Sequence, residues 1–120
     1  MRGVRGATTV ERNDAAMVRD RTTELLRALI DRNAIRADDV ASVIFTTTAD
    51  VDADFPAHGA RAIDGWDRVP LLCAREIPVP GAIPLCVRVL IHWNTDRPQR
   101  EVRHAYLRGA ERLRPDLAEG

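Results

Sequence analysis

Lysine is missing from this 120-residue chain: all eighteen of its basic residues are arginine, set against eighteen acidic ones. With charge balanced in this way, no global field draws the protein to nucleic acid or to a membrane surface. An arginine-only complement is what coding bias produces, although a planar guanidinium also suits carboxylates better than an ammonium does. Serine occurs once, at Ser42, with no nucleophile-elbow pattern around it, which argues against a serine triad. The three histidines, His58, His92 and His104, are scattered, so no metal-ligand cluster is expected. Two cysteines, Cys73 and Cys86, fit neither a metal spacing nor a disulfide framework and read as free thiols of a reducing compartment. No phosphate-cradling glycine loop is found, and the acidic run Asp50, Asp52, Asp54 lacks the glycine and distal glutamate of a calcium loop. Signal-peptide patterning and apolar runs of membrane-spanning length are absent as well, which makes a cytoplasmic location the default expectation.

What is present is the composition of an ordinary globular protein, 45% hydrophobic and 30% charged. The length predicts one domain over 1–120, small enough that oligomerisation would help its core. Met1 to Val10 is short, β-leaning and glycine-interrupted, and reads as a strand with Arg2 and Arg5 facing opposite sides. Asn13 or Asp14 can cap a helix to about Arg32, with Val18, Leu25, Leu26, Leu29 and Ile30 as its apolar stripe and Asn33 as its stop. Val43 to Thr48 is strand-like, and Phe55-Pro56 opens a short helix that Gly65 can close. His58 and Arg61 share one face of that helix. Glu101 to Leu113 has no clean period, and Leu113 to Leu117 reads as an extended tail.

The informative stretch runs from Leu71 to Trp93. Both of its halves look like strands, broken by Pro78, Pro80, Gly81 and Pro84. In the second half Val87, Val89, Ile91 and Trp93 face one way, and Cys86, Arg88, Leu90 and His92 the other. Arg88 thus sits inside an apolar strand, where a guanidinium needs a negative partner. Glu76 can be that partner, as an internal ion pair or as part of a site. Cys73 and Glu76 are three apart, so only a bulge or the end of a strand would bring both to one site. The arginines Arg5, Arg61, Arg88 and Arg114, with Glu76, one thiol and the only tyrosine, Tyr106, favour binding a dicarboxylate and stabilising charge within it over covalent or acid–base work.

Arg2-Gly3-Val4-Arg5-Gly6-Ala7-Thr8-Thr9 resembles the opening signature of the monofunctional, trimeric chorismate mutases. Phe55-Pro56-Ala57, Gly65-Trp66, Val69-Pro70, Cys73 with Glu76, Cys86-Val87-Arg88-Val89, Arg103-His104-Ala105-Tyr106-Leu107 and Leu113-Arg114-Pro115-Asp116-Leu117 follow in family order. The resemblance implies an α+β fold, a mixed five-stranded sheet packed on one long helix, with three subunits forming a barrel-like trimer whose active sites lie between neighbours. It implies the Claisen rearrangement of chorismate to prephenate, without a cofactor, in aromatic amino acid biosynthesis. By the same resemblance Arg5 would bind a carboxylate and Arg88 would meet the ether oxygen. Glu76 and Cys73 would flank the ring hydroxyl, and Tyr106 would contact the side-chain carboxylate. Phe55, Ala57 and Arg61 would come from the adjacent subunit, with His58 beside them where the family has a lysine. Leu71 and Leu72 would line the site next to Cys73, Leu72 replacing a small polar residue, and Leu113 and Arg114 would belong to a closing tail. A metabolite-binding or imine deaminase trimer of the same architecture is the alternative, and a regulatory partner protein with a merely structural Arg88–Glu76 bridge is a third reading.

Overall fold

The computed structural model describes residues 1–113. Its strands are β1 (Arg2–Thr9), β2 (Val40–Thr47), β3 (Leu71–Arg75), β4 (Cys86–Trp93) and β5 (Ala105–Tyr106), and α1 spans Ala15–Asn33. The strands form one sheet in the order β3-β2-β4-β1-β5. β4 runs antiparallel to both of its neighbours, β1 and β2, while the outer strands β3 and β5 run parallel to β2 and β1. A mixed sheet with a helix along one face is an α+β fold.

Local chemistry sets the helix. The Asp14 side chain accepts the Met17 N–H at its start, and Ala34, in the left-handed region at φ 56°, turns the chain out at its end. Leu25, Leu26 and Leu29 are fully buried against Val4, Phe45 and Ile91 of the sheet. Truncating any one of these leucines to alanine would cost roughly 2–5 kcal/mol. Gly6 lets the helix come this close: a Cβ there would lie 2.9 Å from a Leu29 methyl and 3.0 Å from one of Leu25. The sheet's other face is covered only in part, where Ala110 packs on Ala7, Cys86 and Tyr106.

Several boundaries differ from the sequence reading. β2 begins at Val40, not Val43, because the strand is set by pairing with β4 as well as by its own β-branched residues. Residues 55–65 form no α-helix but a 3-10 helix, Pro56–Ala62, that ends before Gly65; Gly65 instead opens a further short turn, Trp66–Arg68. α1 does end at Asn33, which is its last helical residue, and the Asn33 side chain grips the main chain of Arg103 at 2.7 and 2.8 Å. The ambiguous 101–113 stretch resolves into β5 and short 3-10 segments, and Leu113 is in helical rather than extended conformation. The rest of the expected tail, with Arg114, lies outside the described residues.

Candidate active site

Register decides which side chains meet. Arg88 of β4 is the partner of Ala7 on β1 and of Thr46 on β2. Paired residues share a face, so Arg5, Ala7, Ile44, Thr46, Arg88 and Leu90 all point away from α1. Together with Tyr106 of β5 they line an open cleft of about 350 Å³. The expected alternation of β4 holds: Val87, Val89, Ile91 and Trp93 are buried, and Arg88, Leu90 and His92 are half-buried.

Glu76 lies one residue beyond the end of β3, tied there by its amide to the Thr47 carbonyl at 2.8 Å. From this place its carboxylate turns towards Arg88, whose Nε lies 3.6 Å from Oε2. The Thr46 hydroxyl donates to the same Oε2. Both ionic side chains keep partial exposure, 31% for Arg88 and 21% for Glu76. Among the described residues, the buried Nε of Arg88 and the buried hydroxyl of Tyr106 have no hydrogen-bond partner. Two polar atoms left without partners on one cleft are groups that a polar ligand would satisfy. Cys86, fully buried next to them, has its thiol pushed up by burial, against the pull of the Arg88 charge and hydrogen bond, and stays neutral.

The remaining expected site residues are elsewhere. Cys73 pairs with Phe45, on the α1 face of the sheet, and packs on the core. Burial raises its thiol, offset in part by a backbone hydrogen bond from Ala57. The strand end that was to unite Cys73 with Glu76 is there, yet within one chain it leaves them on opposite faces. Phe55 and Cys73 line a second open pocket, of about 420 Å³, beyond the β3 edge. His58 pairs with Asp54 at 2.6 Å and stands edge-on to Phe55. Ala57 and Leu71 pack on the core, Arg61 is exposed, and Leu72 is 62% exposed on the outer strand. Arg5, Arg88 and Tyr106 are therefore gathered on one cleft with Glu76 at its side, while Phe55, Ala57, His58, Arg61, Leu71 and Cys73 belong to another surface.

Thr46 escaped the sequence reading. Its neighbours Thr47 and Thr48 are chemically the same, and only the pairing of β2 with β4 selects Thr46 to face Arg88.

Residues 1–117 match the sequence profile of the family described as chorismate mutase type I. The chain is 53% identical over 118 residues to chorismate mutase AroH of Thermus thermophilus, covering 98% of this chain and 96% of that protein. It is 41% identical to chorismate mutase AroH of Bacillus subtilis, again over 118 residues, with 98% and 93% covered. The solved structure of a chorismate mutase from Clostridium thermocellum superposes with a TM-score of 0.91 at 43% identity, covering 94% of this chain and all of that one. With an arginine-lined cleft on the open face of a sheet of matching architecture, and a profile match from the first residue to the tail, the chain belongs to the chorismate mutase type I family.

Proposed function

We propose that the protein is an isomerase that converts chorismate to prephenate by a Claisen rearrangement, and that Arg88 is its principal catalytic group. The observation that carries the site reading is the Nε of Arg88, ion-paired with Glu76 but without a hydrogen-bond partner, on a cleft that also holds Arg5 and the Tyr106 hydroxyl, which likewise has none. The reaction is unimolecular: one ether C–O bond breaks while one C–C bond forms, and no atom is gained or lost. The protein has only to hold a compact conformer and stabilise the charge that separates. Negative charge grows on the ether oxygen, and a fixed guanidinium in a closed cleft stabilises it most. Arg5 and Tyr106 hold the substrate's carboxylates, and Glu76 takes up its ring hydroxyl as an acceptor. No proton has to move, so neither cofactor nor metal is needed.

The second surface completes the site from a neighbouring subunit. Phe55, Ala57, His58, Arg61, Leu71 and Cys73 of one chain would face the cleft of the next, in a homotrimer that closes into a barrel. This accounts for the exposure of Phe55, Leu72, Ile77 and Val79 around the β3 edge, a group of apolar side chains that a lone subunit leaves in water. Leu113 and Arg114 would complete the cover. The test is direct: chorismate is incubated with purified protein and the loss of its ultraviolet absorbance is followed. Catalysed loss with prephenate as the product is expected; binding without turnover would overturn the reading.

A further inference from the structure

The inference concerns Arg5, and it rests on the reading that Arg5 holds a substrate carboxylate. β5 is two residues long and pairs with β1 only at Gly6 and Ala7. The N–H and C=O of one strand residue point to the same side, so Arg5, whose N–H points to the β5 side, takes none of β4's ladder bonds. The imidazole of His104 fills the gap: the Arg5 N–H donates to its Nδ1 at 3.0 Å. A backbone amide can only donate, so this ring nitrogen carries no proton.

His104 is itself held by the last turn of α1. Its carbonyl accepts from Arg32 Nη1 at 3.0 Å, and Asn33 grips both N–H and C=O of the preceding Arg103. A chain of contacts thus runs from the helix terminus through His104 to the main chain of Arg5, at the mouth of the cleft. We infer that His104 is a positioning residue: it fixes the backbone from which the Arg5 guanidinium reaches the substrate, and so sets substrate affinity without touching the substrate.

The test is a set of steady-state measurements on His104→Leu, His104→Asn, Arg5→Ala and the double variant Arg5→Ala/His104→Leu. Asparagine places an amide oxygen where Nδ1 stood; leucine removes the acceptor. One lost hydrogen bond predicts that His104→Leu raises KM about fivefold to tenfold with kcat changed less than about twofold. His104→Asn returns KM to near the parental value. In the Arg5→Ala background His104→Leu adds less than about twofold, because the group it positions is gone. Additive effects in the double variant, or equal KM for the leucine and asparagine variants, would overturn the role. If His104→Leu does not fold, His104→Gln, whose amide oxygen falls at the Nε2 position, replaces it with the same expectations. Unchanged KM in His104→Leu, or in the His104→Gln that replaces it, beside a raised KM in Arg5→Ala defeats this inference alone. An unchanged KM in Arg5→Ala defeats the placing of Arg5 in the site.

Discussion

Arg88 and Glu76, twelve residues apart in sequence, meet across β2 through a single oxygen: Glu76 Oε2 lies 3.6 Å from Arg88 Nε and accepts the hydroxyl of Thr46. The glutamate therefore has a second partner, and the arginine is not its only means of support. This separates the catalytic reading of Arg88 from a merely structural one, since loss of Arg88 leaves Glu76 hydrogen-bonded and partly solvated.

Arg88→Ala should accordingly yield folded protein of unchanged oligomeric mass with most activity gone. Loss of one oxyanion-type donor costs roughly 3–4 kcal/mol, which is about a thousandfold in rate. Arg88→Lys keeps the charge but loses the planar fork, and should recover only part of it. Circular dichroism, light scattering and turnover on the same samples check this. A folded Arg88→Ala within tenfold or so of the parent would remove Arg88 from the mechanism.

Thr46→Val should leave Glu76 Oε2 without its neutral donor and let the carboxylate swing towards solvent or closer to Arg88. The expected loss is about tenfold in kcat/KM, the worth of one hydrogen bond to a charged group. Thr46→Ser keeps the donor and should stay near parental activity. If valine and serine behave alike, the hydroxyl does not position Glu76.

A site shared between subunits predicts complementation. Arg88→Ala and Arg61→Glu, each with little activity alone, should regain activity when unfolded together and refolded as mixed trimers. Every mixed trimer then contains one junction at which both arginines are intact. Recovered activity near a quarter of the parental level, roughly what random assortment gives, is expected. No recovery in mixtures that demonstrably form mixed trimers would mean that each chain builds its own site.

Acid stability should depend on Asp54 and Glu24. The hydrogen bond from Arg19 holds the Asp54 carboxyl below its usual range, against burial and with help from the Phe55 N–H and His58. The Arg108 side chain does the same for Glu24, by hydrogen bonds at 2.9 and 3.0 Å. On acidification the unfolded chain takes up these protons first. The stabilisation is therefore complete above the ordinary carboxylate range and is lost as pH falls through the lower native values. Tm should fall between about pH 5 and pH 3, and less steeply in Asp54→Asn and Glu24→Gln. Melting curves across that interval that run parallel to the parent's would show that these pairs do not contribute.

The apolar stripe Leu25, Leu26, Leu29, the Asp14 cap and the inward alternation of Val87, Val89 and Ile91 are local patterns, and the structure keeps each of them. They fix side-chain direction within an element, because helical and strand periods are properties of the backbone alone. Arg88 stood out for the same reason, as a charge on a strand of apolar residues. The order of the strands was not legible. β3 and β4 follow one another in sequence, yet β2 lies between them, since pairing is decided by which faces the whole chain can bury at once. That non-local choice selected Thr46 from three successive threonines to stand between Glu76 and Arg88. It turned Cys73 to the helix side, away from the Glu76 with which it was expected to share a site, and it placed the Arg5 amide within reach of His104. Residue type and period along the chain single out Arg5, Arg88 and Glu76; which side chains share a face is settled only in three dimensions, because strand register is set by burial across the sheet and not by any neighbour along the chain.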